Sequence, residues 1–231
     1  MKATERWTVR HNYTFLLVGL LSIIAGGAMQ AQYYPLHTLL SDLAIAIVFI
    51  VSVWSLVRSR IAFIFGWVLA ASWMAASLAG HLLAFESFRF LGLCLLLAFF
   101  VLSGVIAGRD VFFGGAVTIN RLVGAVCVYL LIGLVWTLAY FFVEAATAGA
   151  FDGLSATEWN ARLAELGYFS FVTLTTLGFG DISPVSPLAR VLAYIEAIVG
   201  QMYLTVLVAA LVGMHIADYG SRSVDSVSRS D

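Results

Sequence analysis

Residues 176–181 form the segment of this sequence that is best suited to bind a ligand. They read Thr176-Leu-Gly-Phe-Gly-Asp181, so that Gly178 and Gly180 alternate with residues that carry a side chain. A strand whose successive carbonyls face one axis needs alternate residues in backbone conformations closed to a Cβ, and glycine supplies them. Rings of such carbonyl oxygens can replace the hydration shell of a dehydrated cation. The segment therefore predicts a cation site made of backbone carbonyls, with the Thr176 hydroxyl as a further ligand.

A short apolar piece at residues 166–177 must position this segment. It is too short to cross a bilayer as a helix, and irregular backbone at membrane depth is tolerated only inside protein or beside a water-filled cavity. Residues 167–175 are predicted to form a re-entrant helix whose C-terminal end faces the ion, because the negative end of the helix dipole favours a cation. Thr175 and Asp181 are expected to support the segment, and Phe179 is expected to pack against Tyr168 and Phe169.

The rest of the chain reads as an integral membrane protein. Of its 231 residues, 62% are hydrophobic and only 11% are charged, against about 25% charged in an ordinary soluble domain. The apolar residues form blocks long enough to span a bilayer. Six spanning helices are predicted, at about residues 13–31, 39–57, 61–85, 88–107, 122–143 and 188–214.

The basic residues predict the orientation of these helices. With the N-terminus in the cytoplasm, nine of the 12 Lys and Arg residues fall on the cytoplasmic side, as the positive-inside rule requires. An even number of spans then returns the C-terminus to the cytoplasm. The polar residues 217–231 are expected to form a short disordered tail.

The motif from Thr176 to Asp181 resembles the potassium-channel signature T-x-G-[YF]-G-D. Residues 121–215 are similar to the pore module of prokaryotic potassium channels, with Phe179 where tyrosine is commoner. The resemblance implies an all-α fold of six membrane helices plus a re-entrant pore helix, and passive conduction of K⁺ across the cell (inner) membrane. It implies K⁺ binding at Thr176, Leu177, Gly178 and Phe179, with Gly180 completing the filter. One such segment per chain cannot surround an ion, so we expect a cyclic homotetramer.

The last predicted helix carries the other candidate residues. By resemblance, Gly200 falls at a glycine often regarded as a gating hinge; close helix packing is the alternative reading. Helical phasing places Gln201, Leu204, Val208 and Val212 on one stripe, the candidate cavity lining. Glu196 lies off this stripe and is expected to hydrogen bond to Thr173 or Ser170 of the pore helix and so support the filter.

The first four helices are predicted to be a packing or regulatory domain, residues 1–110, in front of a pore domain at 111–216. They occupy the place of a voltage sensor, which needs about 3–4 gating charges per subunit. Between Phe90 and Gly108 the fourth helix contains no Lys or Arg. We therefore expect no steep voltage dependence.

Three other functions stay open at this stage. A non-selective cation channel would differ only in filter geometry, a secondary transporter would need inverted repeats with matching broken helices, and a non-conducting scaffold or accessory subunit would leave the complete filter motif unexplained. No residue set suggests covalent chemistry, so we expect no enzyme. We expect no cofactor other than K⁺ as the permeant ion, no nucleic-acid partner, and contact with membrane lipids.

Overall fold

The computed structural model describes residues 3–30, 60–83, 86–113 and 118–228. The predicted span at 39–57 lies outside these residues. The described elements are, in chain order, α1 (Ala3–Gln30), α2 (Arg60–Leu83), α3 (Glu86–Phe113), α4 (Ile119–Ala146), β1 (Phe151–Asp152), α5 (Trp159–Leu174), β2 (Ser183–Pro184) and α6 (Pro187–Ser228). The two short strands pair antiparallel, with Phe151 opposite Pro184.

Three of the described helices contain stretches long and apolar enough to cross a membrane. These stretches are Ser87–Phe113, Ile119–Ala146 and Pro187–Ala210, and shorter apolar stretches lie at Tyr13–Gly27 and Ile64–Gly80. The described part of the chain is thus an all-α membrane protein with a minimal β pair. Long apolar helices are favoured in a bilayer because every backbone N–H and C=O within them is hydrogen bonded inside the segment.

Helix α4 lies at the centre of the fold. It packs against α1, α3, α5 and α6, while α2 packs on the far side of α3. Its inward face is buried through Cys127, Leu131 and Tyr140. The α4 helix begins after Thr118, whose hydroxyl accepts a hydrogen bond from the Arg121 backbone N–H at 3.4 Å, an ordinary N-cap arrangement.

One end of α1 is joined to α3 and α4 by specific contacts. The Tyr13 hydroxyl donates to Asp110 Oδ2 at 2.9 Å, and Cys127 Sγ donates to the Tyr13 carbonyl at 3.4 Å. Gly124 makes room for this contact, since a Cβ there would lie 3.0 Å from the Tyr13 ring. The first helix therefore packs directly on the second half of the chain.

The segments before α5 and after the filter motif are tied to one another. The buried Glu144 carboxylate accepts from the backbone N–H groups of Gly149 at 3.1 Å and Phe151 at 3.3 Å. The Val185 N–H donates to the Ala150 carbonyl at 2.8 Å. These bonds fix both ends of the segment that carries the motif.

Three predicted boundaries differ from the structure. Helix α3 continues to Phe113 and crosses the domain boundary predicted at residue 110, and α5 begins at Trp159 instead of residue 167. The tail predicted to be disordered from residue 217 is helical as far as Ser228, in continuation of α6. At the start of α5 and the end of α6, the added helical residues include polar ones that the apolar pattern did not mark.

Candidate ion-binding site

The site begins where α5 ends. The Thr175 N–H donates to the Phe171 carbonyl at 3.1 Å, the Thr176 N–H to the Thr173 carbonyl at 2.9 Å, and the Leu177 N–H to the Val172 carbonyl at 2.9 Å. These bonds close the last turn of α5 and direct the chain out of the helix. The C-terminal end of α5, with the negative end of its dipole, thus adjoins the first residue of the motif.

The backbone of the motif alternates in conformation. Thr176, Gly178 and Gly180 have φ of 60°, 58° and 78°, whereas Leu177 and Phe179 are not among the residues with positive φ. The two glycines occupy the left-handed region, as the sequence predicts. The same alternation includes Thr176, whose positive φ was not predicted from the sequence. Its position two residues before Gly178 was the available signal.

Thr176 is therefore a strained residue with a side-chain partner. A residue with a Cβ in the left-handed region costs roughly 1–2 kcal/mol, and such strain persists only where the surrounding structure enforces it. Gln201 Nε2 of α6 donates to the Thr176 Oγ1 at 3.0 Å. The predicted cavity residue Gln201 is thus in contact with the predicted ion ligand Thr176.

Two side chains of the motif are largely uncovered by the rest of the chain. Leu177 is 61% exposed and Phe179 is 66% exposed. Phe169 does not pack against Phe179; its ring lies 5.0 Å from that of Tyr140 and 5.3 Å from that of Phe151. Within one chain, Phe169 is thus packed among rings of α4 and β1, and the predicted packing of Phe179 with Tyr168 and Phe169 stays a prediction.

Two predicted supporting residues meet at the outer end of the motif. The Tyr168 hydroxyl hydrogen bonds to Asp181, which lowers the pKa of the Asp181 carboxyl and raises the pKa of the Tyr168 phenol. Thr175, the third supporting residue, uses its hydroxyl to donate to the Phe171 carbonyl at 2.6 Å and so caps its own helix.

Glu196 is fully buried behind the motif, with 0% of its surface exposed. Its Oε1 lies 2.6 Å from the Ser170 hydroxyl of α5, and its Oε2 accepts from the Tyr140 hydroxyl of α4 at 2.5 Å. Of the two partners predicted on α5, Ser170 makes the contact. The contact with Tyr140 was not predicted, because no local pattern relates residues on α4 and α6.

Gly200 faces α5, unlike the residues predicted to line the cavity. A Cβ at Gly200 would collide with the Leu174 carbonyl oxygen, at the last turn of α5. The close approach of α6 to α5 is what this glycine permits, as the packing alternative predicted; a hinge at Gly200 stays a prediction. Leu204, Val208 and Val212 are exposed on the chain surface.

Comparison with known proteins covers this same region. Residues 128–216 match the family described as "Ion channel". A curated relative, "Two pore potassium channel b" of Oryza sativa subsp. japonica, is 40% identical over 86 residues, which are 37% of this chain and 22% of the relative. The chain thus covers about a fifth of that protein's length. The matched family region runs from within α4 to within α6 and contains the whole motif, so the similarity to ion channels lies in the part of the chain that carries the candidate site.

Proposed function

We propose that the protein is a subunit of a homotetrameric potassium-selective channel. The observation that carries the proposal is the alternation of positive φ at Thr176, Gly178 and Gly180 immediately after a helix too short to span. In a ring of four such segments, the carbonyls of residues 176–179 would replace the hydration shell of K⁺. The name of the relative from Oryza sativa supports potassium as the ion.

The placement of α5 supports a re-entrant pore helix. Its 16 residues correspond to about 24 Å at 1.5 Å per residue, less than the roughly 30 Å of a hydrocarbon core. It packs against α1, α4 and α6. Such a helix can carry irregular backbone into the membrane without exposing it to lipid.

The exposed surfaces of the chain support assembly. The motif side chains Leu177 and Phe179 and the apolar α6 residues Ile198 and Met202 are exposed in one chain. One copy supplies one wall of an ion site, and cyclic symmetry closes the ring without leaving an unmatched surface. We therefore propose four copies around one pore, in the cell membrane.

Two further properties belong to the proposal. The absence of Lys and Arg between Phe90 and Gly108 argues against steep voltage dependence, which needs charges that move through the membrane field. The contact of Tyr13 with Asp110 brings the beginning of α1 and the end of α3 to the same side. This agrees with six spans and with both termini in the cytoplasm.

The test is the reversal potential of purified protein in a planar bilayer, with KCl on one side and NaCl on the other. A potassium channel gives a value near the K⁺ equilibrium potential. Clear current with a value near zero would identify a non-selective cation channel. Protein that is tetrameric and silent under every stimulus tried would support a scaffold or accessory subunit instead.

A matched pair of variants links the current to the motif. Gly180 and Gly149 both have φ of 78°, and a Cβ would have open space at either position. Gly180→Ala and Gly149→Ala therefore impose the same backbone strain, but only the first lies in the filter. We expect Gly180→Ala to abolish selective current and Gly149→Ala to retain it. Equal effects of the two variants would remove the motif from the conduction path.

A further inference from the structure

Three short oxygen–oxygen contacts meet behind the filter. Tyr140 Oη lies 2.5 Å from Glu196 Oε2, Glu196 Oε1 lies 2.6 Å from Ser170 Oγ, and Ser170 Oγ lies 2.8 Å from the Gly133 carbonyl oxygen. Thr137 Oγ1 also donates to that carbonyl at 2.8 Å. The contacts form one continuous hydrogen-bond network that runs from α4 through α6 and α5 and back to α4.

The number of hydrogens available in this network identifies which group must donate a hydrogen bond. Two oxygens at 2.5–2.8 Å make a hydrogen bond only when a hydrogen lies between them. Tyr140 and Ser170 supply one hydrogen each, and the Gly133 carbonyl supplies none. Three contacts therefore require a third hydrogen, and the remaining atom that can carry it is Glu196 Oε1.

We infer that Glu196 is held in the fold as a neutral carboxylic acid that donates from Oε1 to Ser170. Tyr140 then donates to Oε2, and Ser170 donates to the Gly133 carbonyl, so that every short contact in the network contains one hydrogen. An ionised Glu196 would accept a hydrogen bond from the Ser170 hydroxyl. No hydrogen would then lie between the Ser170 hydroxyl oxygen and the Gly133 carbonyl oxygen. Glu196 is in this sense a positioning residue, which joins α4, α5 and α6 behind the filter.

The surroundings of the carboxyl favour the neutral form. Glu196 is 0% exposed, and an unpaired buried carboxylate is costly. Within the described residues, its hydrogen-bond partners are Ser170 of α5 and Tyr140 of α4, and the other titratable group acting on it is Tyr129, also of α4. These groups bring no positive charge to the carboxyl.

A pH dependence follows with a definite sign. The folded protein holds a proton on Glu196 that an ordinary, solvated glutamate has already released by neutral pH. Stability and filter support therefore decrease as pH rises. The consequence for conduction rests on the proposed channel function; the assignment of the proton does not. Glu196→Gln keeps an acceptor for Tyr140 and an N–H donor for Ser170 but cannot ionise.

Infrared difference spectroscopy of the reconstituted wild type against Glu196→Gln tests the assignment. We expect loss of the C=O stretch of a protonated carboxylic acid. The control is Glu158→Gln, at an exposed residue before α5, which should remove carboxylate bands only. Loss of carboxylate bands in Glu196→Gln would overturn the proposal. If Glu196→Gln does not assemble, Ser170→Ala is the second variant, because it keeps Glu196 but removes its partner. We expect it to shift the C=O stretch of the carboxylic acid, and a shift of a carboxylate band instead would contradict the assignment.

The pH profile of the K⁺ current separates this proposal from the proposed function. Current through the wild type should decrease as pH rises, and Glu196→Gln should flatten that decrease. A wild-type current that does not change with pH would contradict the role of the Glu196 proton in filter support. Protein that shows the carboxylic acid band but conducts no ion would retain the proton assignment and remove the channel function.

Discussion

The filter motif and the region directly behind it differ in what a single chain provides for them. Behind the filter, Glu196, Ser170 and Tyr140 are buried and hydrogen bonded within one copy. In the filter, the side chains of Leu177 and Phe179 are mostly exposed. One chain thus completes the hydrogen bonds behind the motif, whereas it leaves these two motif side chains uncovered, as the proposed assembly requires.

This difference predicts two kinds of variant. Substitutions behind the filter should destabilise the fold of each chain, whereas substitutions of the exposed filter side chains should weaken the association of copies.

Phe179→Ala should have the largest effect, on assembly. A phenylalanine buried between subunits contributes about 3–5 kcal/mol relative to alanine, and four copies lose it together. The measurement is the fraction of tetramer that survives heating in mild detergent. Phe65→Ala is the control, because Phe65 is 60% exposed in one chain and lies on α2, which packs against α3. Equal tetramer stability in the two variants would mean that Phe179 has no neighbour.

Gly200→Ala should destabilise the chain itself. The added Cβ would collide with the Leu174 carbonyl oxygen and push α6 away from α5, and overpacking of this kind costs about 1–3 kcal/mol. Thermal unfolding of the reconstituted protein measures the effect. Gly108→Ala on α3 is the matched control, a helical glycine with open space around its Cβ position. Unchanged unfolding in Gly200→Ala would show that the two helices do not need this close approach.

Tyr168→Phe should have the smallest effect, and one that depends on pH. The hydrogen bond from Tyr168 lowers the pKa of Asp181 in the folded state, so its stabilisation is present above the ordinary carboxyl pKa and is lost as pH falls. Wild type and Tyr168→Phe should therefore differ most at neutral pH and converge in acid. Midpoints of thermal unfolding across this range measure the difference. Tyr194→Phe, at an exposed tyrosine of α6, should follow the wild type; a constant gap for Tyr168→Phe would contradict the role of Asp181.

Much of the site was visible in the sequence because it depends on local backbone chemistry. The spacing of Gly178 and Gly180 predicts the positive φ that both residues have, and the apolar pattern predicts α4 and α6 to within a few residues at the starts of both helices. The contact of Glu196 with Ser170 was also predicted. The start of α5 and the helical continuation beyond residue 217 were not, because polar residues there follow no apolar period.

Residue types at neighbouring positions suffice to predict the carbonyl-bearing motif, the short helix before it and the membrane character of the chain. Three contacts follow instead from tertiary packing: Tyr140 with Glu196, Gln201 with Thr176, and Gly200 with α5. These contacts join residues that are far apart along the chain. Their geometry is set by how three helices pack, and the helical repeat of any one of them does not contain that information.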